Sequence, residues 1–301
     1  MSPTKFHTIA PIVPEYINRH LFEISFGDVK IIPKPDLLNK KEIIDHLSLS
    51  DKMQLEVTEL VFISEYEASA LGEVDPAWKG PSSRSKQDSA YEKIQLCNLA
   101  LWISYPTSLV TTLFLHILVD DTRQFTHQSG SIDPVLPHLD DKNNFHTKES
   151  FETAQKINLA ILSIERKNSL WLSIMSLLQA LTSNALEVRF ILLWVALEAL
   201  YGSETEISYR ISHRIAFFIS EDRKNAKEEF LRMKTSYNFR SQIVHGLRIR
   251  KNKQDNSMEI LKNTETSLRK SLSKILLDKK YIEIFNHEDK RKEFLDDLIF
   301  S

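Results

Sequence analysis

From residue 149 to the end of the chain, apolar residues recur at steps of three and four, broken only by short polar stretches. NALEVRFILLWVALEALYG (184–202) carries the pattern most clearly. Phe190, Leu193, Trp194, Leu197, Leu200 and Tyr201 line one stripe, and Gly202 stands where a helix C-terminal cap belongs. FETAQKINLAILSI and SLWLSIMSLLQALT come before it, separated by the polar ERKN. EISYRISHRIAFFIS (206–220), EDRKNAKEEFLRMK (221–234), a long segment near 258–278 and the closing DKRKEFLDDLIF come after it. A chain of 301 residues with only six glycines also favours long helices over a turn-rich β fold.

The first third reads differently. HLFEISFGDVKIIP (20–33) alternates and is bounded by Gly27 and Pro33, which predicts short strands. SDKMQLEVTELVFISEYEASALG (50–72) is read as a helix with Ser50 as its cap and Gly72 as its stop. Residues 78–89 read as a loop and 89–104 as a helix ending before Pro106. LVTTLFLHILV (109–119), rich in β-branched and aromatic residues, reads as a buried strand. Residues 122–144 are polar, contain Gly130, Pro134 and Pro137, and lack periodicity, so they read as a linker. The expected fold is mainly α: an N-terminal α+β region over 1–121, a linker over 122–148, and a helical bundle over 149–301.

Composition removes several function classes. Charge is balanced at a net -2, so any basic surface is local. Cys97 is the one cysteine, which rules out an internal disulfide and fits a reducing cytosol. No apolar run reaches the length of a membrane span and no signal peptide opens the chain, so a cytoplasmic protein with no membrane partner is expected. HExxH, paired CxxC, DxDxDG, GxGxxG, GxxxxGK[ST] and GxSxG are all missing, so neither a metal nor a cofactor is expected.

What remains is NFRSQIVHG (238–246), with Arg240 and His245 five positions apart. An arginine holds phosphate through a planar fork, and a histidine exchanges protons near neutral pH. RNA carries its own nucleophile, the 2′-OH, so a cation, a proton acceptor and a proton donor suffice to cleave it. Residues five apart on a helix lie about 140° apart around its axis. Either Arg240 sits in a helix's first turn, after the polar TSYN, or two copies meet across a two-fold axis and share one pocket.

Three stretches in order, RFILLWVALEALYG (189–202), ISYRISHRIAFFIS (207–220) and YNFRSQIVHG (237–246), resemble the HEPN superfamily, specifically its Apea-like domains. The third looks like that family's Rx4–6H motif, and the likeness covers roughly 150–285. It implies a homodimeric helical bundle that cleaves RNA without a metal, in prokaryotic antiphage or toxin-type defence, responding to a regulatory protein or a phage-derived trigger. On the matching positions, Arg240 would hold the scissile phosphate, His245 would transfer protons and Ser241 would support them. Glu198 either pairs with Arg240 or lies on its helix's polar side. His213 and Arg214 either reach the cleft or lie on a solvated face. Residues 246–280 hold ten Lys/Arg and four Asp/Glu, a local +6, and RIRKNK (248–253) follows the motif directly. Arg248, Arg250, Lys251 and Lys253 are thus candidate RNA contacts, or else part of a solubilising loop. Trp78 is the aromatic residue outside the expected core that could make a contact. The alternative function is a non-catalytic HEPN module that binds RNA, nucleotide or a partner protein.

Overall fold

A computed structural model describes residues 4–12, 24–77, 83–106, 111, 113–119, 125–129, 146–202, 207–246 and 256–298. The protein is mainly α with a smaller N-terminal α+β region. It divides into two compact units, Met1–Leu159 and Ala160–Ser301. That division falls inside a helix rather than at 149, because Phe151 and Ala154 pack into the core of the first unit.

The first unit is built on an antiparallel sheet. Its strands are β1 (Thr4–Ile12), β2 (Ile24–Phe26), β3 (Val29–Pro33), β4 (Leu60–Ala68), β5 (Leu113–Leu118) and β6 (Phe125–Ser129). They lie in the order β2-β3-β4-β1-β5-β6. β1 is central, pairing Ile9 with Ile63 of β4 and with Leu115 of β5. The short helices α1 (Lys41–Ile44) and α2 (Leu49–Val57) cover one sheet face, where Ile43 and Leu55 meet Ile9, Val61 and Leu115. α3 (Lys86–Ser104) covers the other, bringing Ile94, Cys97 and Leu101 against Ala10, Phe62 and Phe114. Cys97 is fully buried there, and burial pushes its thiol pKa up.

The segment read as one helix over 50–72 is therefore a helix followed by a strand. Ser48, not Ser50, caps α2 by accepting the Asp51 N–H. LVFIS of β4 is buried on both sides of the sheet, so its apolar run is continuous and the period of two that marks a half-exposed strand is absent. Part of the expected linker is likewise an edge strand, with β6 pairing Thr126 to His116 of β5. Residues 122–124 and 130–145 of that stretch lie outside the described residues, as does Trp78.

α4 (Lys148–Ser163) crosses the division, and the second unit is a helical bundle. It comprises α5 (Ser169–Thr182), α6 (Leu186–Tyr201), α7 (Ile207–Ile219), α8 (Arg223–Val244), α9 (Ser257–Leu277), α10 (Lys279–Asn286) and α11 (Glu288–Asp297). α6 is the central element, burying Phe190, Leu193, Trp194, Leu197, Leu200 and Tyr201 as its periodicity predicts. α8 runs unbroken through TSYN, contrary to the break expected there. Ser236 is buried on a hydrogen bond, and Tyr237 packs edge-on against Trp194 at 5.2 Å between ring centres.

A buried polar chain ties three helices together. The Trp194 Nε1–H donates to Ser236 Oγ at 3.0 Å, and Ser236 Oγ meets Thr264 Oγ1 at 2.5 Å. Thr264 in turn donates to the Ile260 carbonyl at 2.7 Å. With the Thr264 proton committed to that carbonyl, Ser236 must be the donor to Thr264, so each hydroxyl is satisfied.

Candidate active site

Glu198 lies one helical turn beyond Trp194, and Arg240 one turn beyond Ser236. The α6–α8 crossing thus fixes both. Their side chains form an ion pair, Arg240 Nη2 to Glu198 Oε1 at 3.2 Å, with Arg240 25% and Glu198 29% exposed. Of the two placements left open for Glu198 by sequence, the structure has the paired one. Burial raises the Glu198 pKa, and the Arg240 charge pulls it back. The guanidinium also lies over the Tyr237 ring, its Cζ 5.8 Å from the centre. Arg240 Nε is buried without a hydrogen-bond partner among the described residues. A half-buried cation held by a carboxylate and an aromatic ring is pre-oriented for a phosphate.

Arg240 sits near the end of α8, not in its first turn. His245 is the C-cap residue, with its N–H bonded to the Ser241 carbonyl at 3.1 Å. Gly246 follows in the left-handed conformation at φ +62 and closes the helix through the Ile243 carbonyl at 3.0 Å. The trailing glycine of the motif is thus a stop signal that leaves the His245 side chain exposed. Ser241 is half-buried beside Arg240. Among the described residues His245 engages no side-chain partner, so one chain presents the arginine and the histidine at a helix end without closing them into a cleft.

The other candidates separate. Arg248, Arg250, Lys251 and Lys253 lie outside the described residues. Within the rest of the basic segment, Lys274 is taken up internally, donating to the Phe218 carbonyl at 2.6 Å. Arg269 faces the buried Glu265. Arg214 is not on a solvated face. It is 3% exposed and donates to the carbonyls of Tyr201 at 2.9 Å and Gly202 at 2.7 Å, which completes the C-terminal cap of α6, and it pairs with Asp296 at 2.6 Å. His213 is half-buried and stacked between Tyr209 and Phe217, with centres 5.8 and 4.4 Å away. Burial lowers its pKa, which favours the neutral ring.

Sequence reading missed Tyr237 as a site residue. Its position three before Arg240 puts it on the adjoining face of the same helix, a spacing visible in the sequence.

Among the described residues no three His, Cys, Asp or Glu side chains gather to hold a metal, and no helix is long and apolar enough to cross a membrane. The chain matches no protein-family model, no curated protein and no solved structure.

Proposed function

We propose that the chain is a ribonuclease of the HEPN type, acting as a homodimer in prokaryotic defence and cutting RNA without a metal. The observation that carries this reading is the Glu198–Arg240 pair, a phosphate-ready guanidinium locked in place near the exposed His245 at the end of α8. Its setting in the three stretches that resemble the HEPN superfamily supports the assignment of roles.

In this reading two copies bring their α8 ends together, supplying two arginines and two histidines. One His245 takes the proton from the ribose 2′-OH as its oxygen attacks phosphorus. The P–O5′ bond breaks, and the His245 of the second copy gives its proton to the leaving O5′. The products are a 2′,3′-cyclic phosphate and a 5′-OH. Arg240 of each copy neutralises charge on the phosphate oxygens, and Ser241 supports the phosphate through its hydroxyl. Glu198 is a positioning residue.

The cellular test is expression in a bacterial host. Wild type arrests growth and fragments RNA, whereas His245→Ala does neither. Equal growth with both chains, each present at the same level, counts against the proposal. RNA binding without cleavage would favour the non-catalytic module instead.

A further inference from the structure

One face of α8 carries an uninterrupted pattern that the cleavage reading does not use. Arg223, Lys227, Phe230, Lys234, Tyr237 and Ser241 fall within an arc of about 80° on an ideal helix. The buried residues of the helix, Ala226, Glu229, Met233, Ser236 and Phe239, lie outside this arc. Arg223, Lys227 and Lys234 are exposed, while Phe230, Tyr237 and Ser241 are half-buried. No acidic residue lies on the stripe. Glu221 and Asp222 stand at its start, before the first turn.

α7 lies alongside and adds a second row. Tyr209, His213 and Phe217 follow at intervals of four and stack, with Tyr209 54% exposed. Phe230 joins the rows edge-on, 5.4 Å from Tyr209 and 6.2 Å from His213. Lys234 Nζ lies 5.9 Å from the Phe230 ring centre, and Arg240 Cζ lies 5.8 Å from the Tyr237 ring centre. Cations and ring faces therefore alternate from the Tyr209 stack to the Arg240 pair, along about 15 Å of α8.

Alternating cations and rings, with Tyr209 exposed at one end, suit a single-stranded nucleic acid, whose phosphates meet the cations while its bases stack. A duplex hides its base faces, so these rings would have no base to stack on. The geometry points to this α7–α8 face as a single-strand RNA track. It feeds the strand toward Arg240 and His245, with Tyr209 and its His213 neighbour as the base platform. The inference rests on the ribonuclease reading only for the direction of feeding.

The test measures binding separately from cleavage. A labelled single-stranded RNA made fully 2′-O-methyl cannot be cut by 2′-OH attack, so its anisotropy reads affinity alone. Loss of one stacking ring is expected to weaken binding by about fivefold or more in Tyr209→Ala, with Tyr209→Trp close to wild type. Lys234→Ala is expected to lower the salt slope of log affinity by about one. The matched duplex is expected to bind more weakly and to ignore Tyr209→Ala. Wild-type affinity and slope in both alanine variants, or no binding of any oligonucleotide, would overturn the track. Binding through Tyr209 without cleavage of ordinary RNA would sink the ribonuclease reading and leave the track standing. Cleavage that Tyr209→Ala leaves untouched, with unchanged binding, would sink the track alone.

Discussion

Replacing Ser236 by alanine probes the joint on which the site depends. The substitution removes one oxygen from a position 1% exposed and adds no bulk, so the void it leaves is small. Its cost is polar. The indole N–H of the fully buried Trp194 loses its acceptor, and an unsatisfied buried donor costs about 1–3 kcal/mol. Thr264 loses one partner but keeps its bond to the Ile260 carbonyl. A loss near the middle of that range, about 2 kcal/mol, is a sizeable part of the 5–15 kcal/mol that holds typical domains together. Native-state amide exchange reads it directly, because a loss of about 2 kcal/mol accelerates globally protected amides by roughly 30-fold. The most protected amides of α6 and α8 should show that acceleration, with α3 of the other unit as the reference. Thr264→Val should cost less, since the indole keeps its acceptor. Exchange in α6 and α8 within about threefold of wild type in Ser236→Ala would refute this account of the helix joint. The same slippage should reduce RNA cleavage, since Glu198 and Arg240 each lie one turn beyond this bond.

Two further outcomes follow from local chemistry. Gly246→Ala should destabilise the second unit by about 1 kcal/mol, seen as a lower thermal midpoint. A Cβ there meets nothing within 4 Å, so the cost comes from φ +62 alone, and Gly246→Asn should lose less. Glu265 supplies a pH dependence. Burial pushes its carboxyl up to about 7, against the opposing pull of Arg189 and Arg269. The folded chain therefore binds this proton more tightly than the unfolded one, so stability falls as pH rises from about 4.5 through about 7. Urea midpoints measured across that window should decline in wild type by the equivalent of about 3 kcal/mol at most, and more shallowly in Glu265→Gln. An equal decline in both would count against Glu265 as its source.

The helical unit was legible in the sequence because each helix buries one stripe. The stripe from Phe190 to Tyr201 and its stop at Gly202 are written in the spacing. β5 was legible from its β-branched and aromatic content. β4 was not, because its residues 60–64 are buried on both faces and an unbroken apolar run carries no period. TSYN looked like a break because Thr235, Ser236, Tyr237 and Asn238 are all weak helix formers. Here Ser236 is sheltered by Trp194 and Thr264, a tertiary partnership with no local trace. The short α10 was missed beside the Lys-rich end of α9. Its apolar residues Tyr281, Ile282, Ile284 and Phe285 share one face, but eight residues make barely two turns, too short a window to separate from the preceding helix. For the site, the sequence offered Glu198 as a partner for Arg240 on the ground that a carboxylate inside an apolar stripe needs one, and the pair is formed. The position of Arg240 near the end of α8 was hidden by the false break, and the cap made by Arg214 depends on carbonyls of another helix.

The central claim is that Arg240 and His245 cleave RNA through its own 2′-OH. The most direct measurement is incubation of purified wild type, Arg240→Ala and His245→Ala with single-stranded RNA in EDTA, followed by analysis of the new ends. The account predicts cleavage by wild type alone, with 2′,3′-cyclic phosphate and 5′-OH termini, while both variants keep the wild-type helical circular dichroism. No cleavage by wild type, equal cleavage by the folded variants, or ends carrying 5′-phosphate would contradict it.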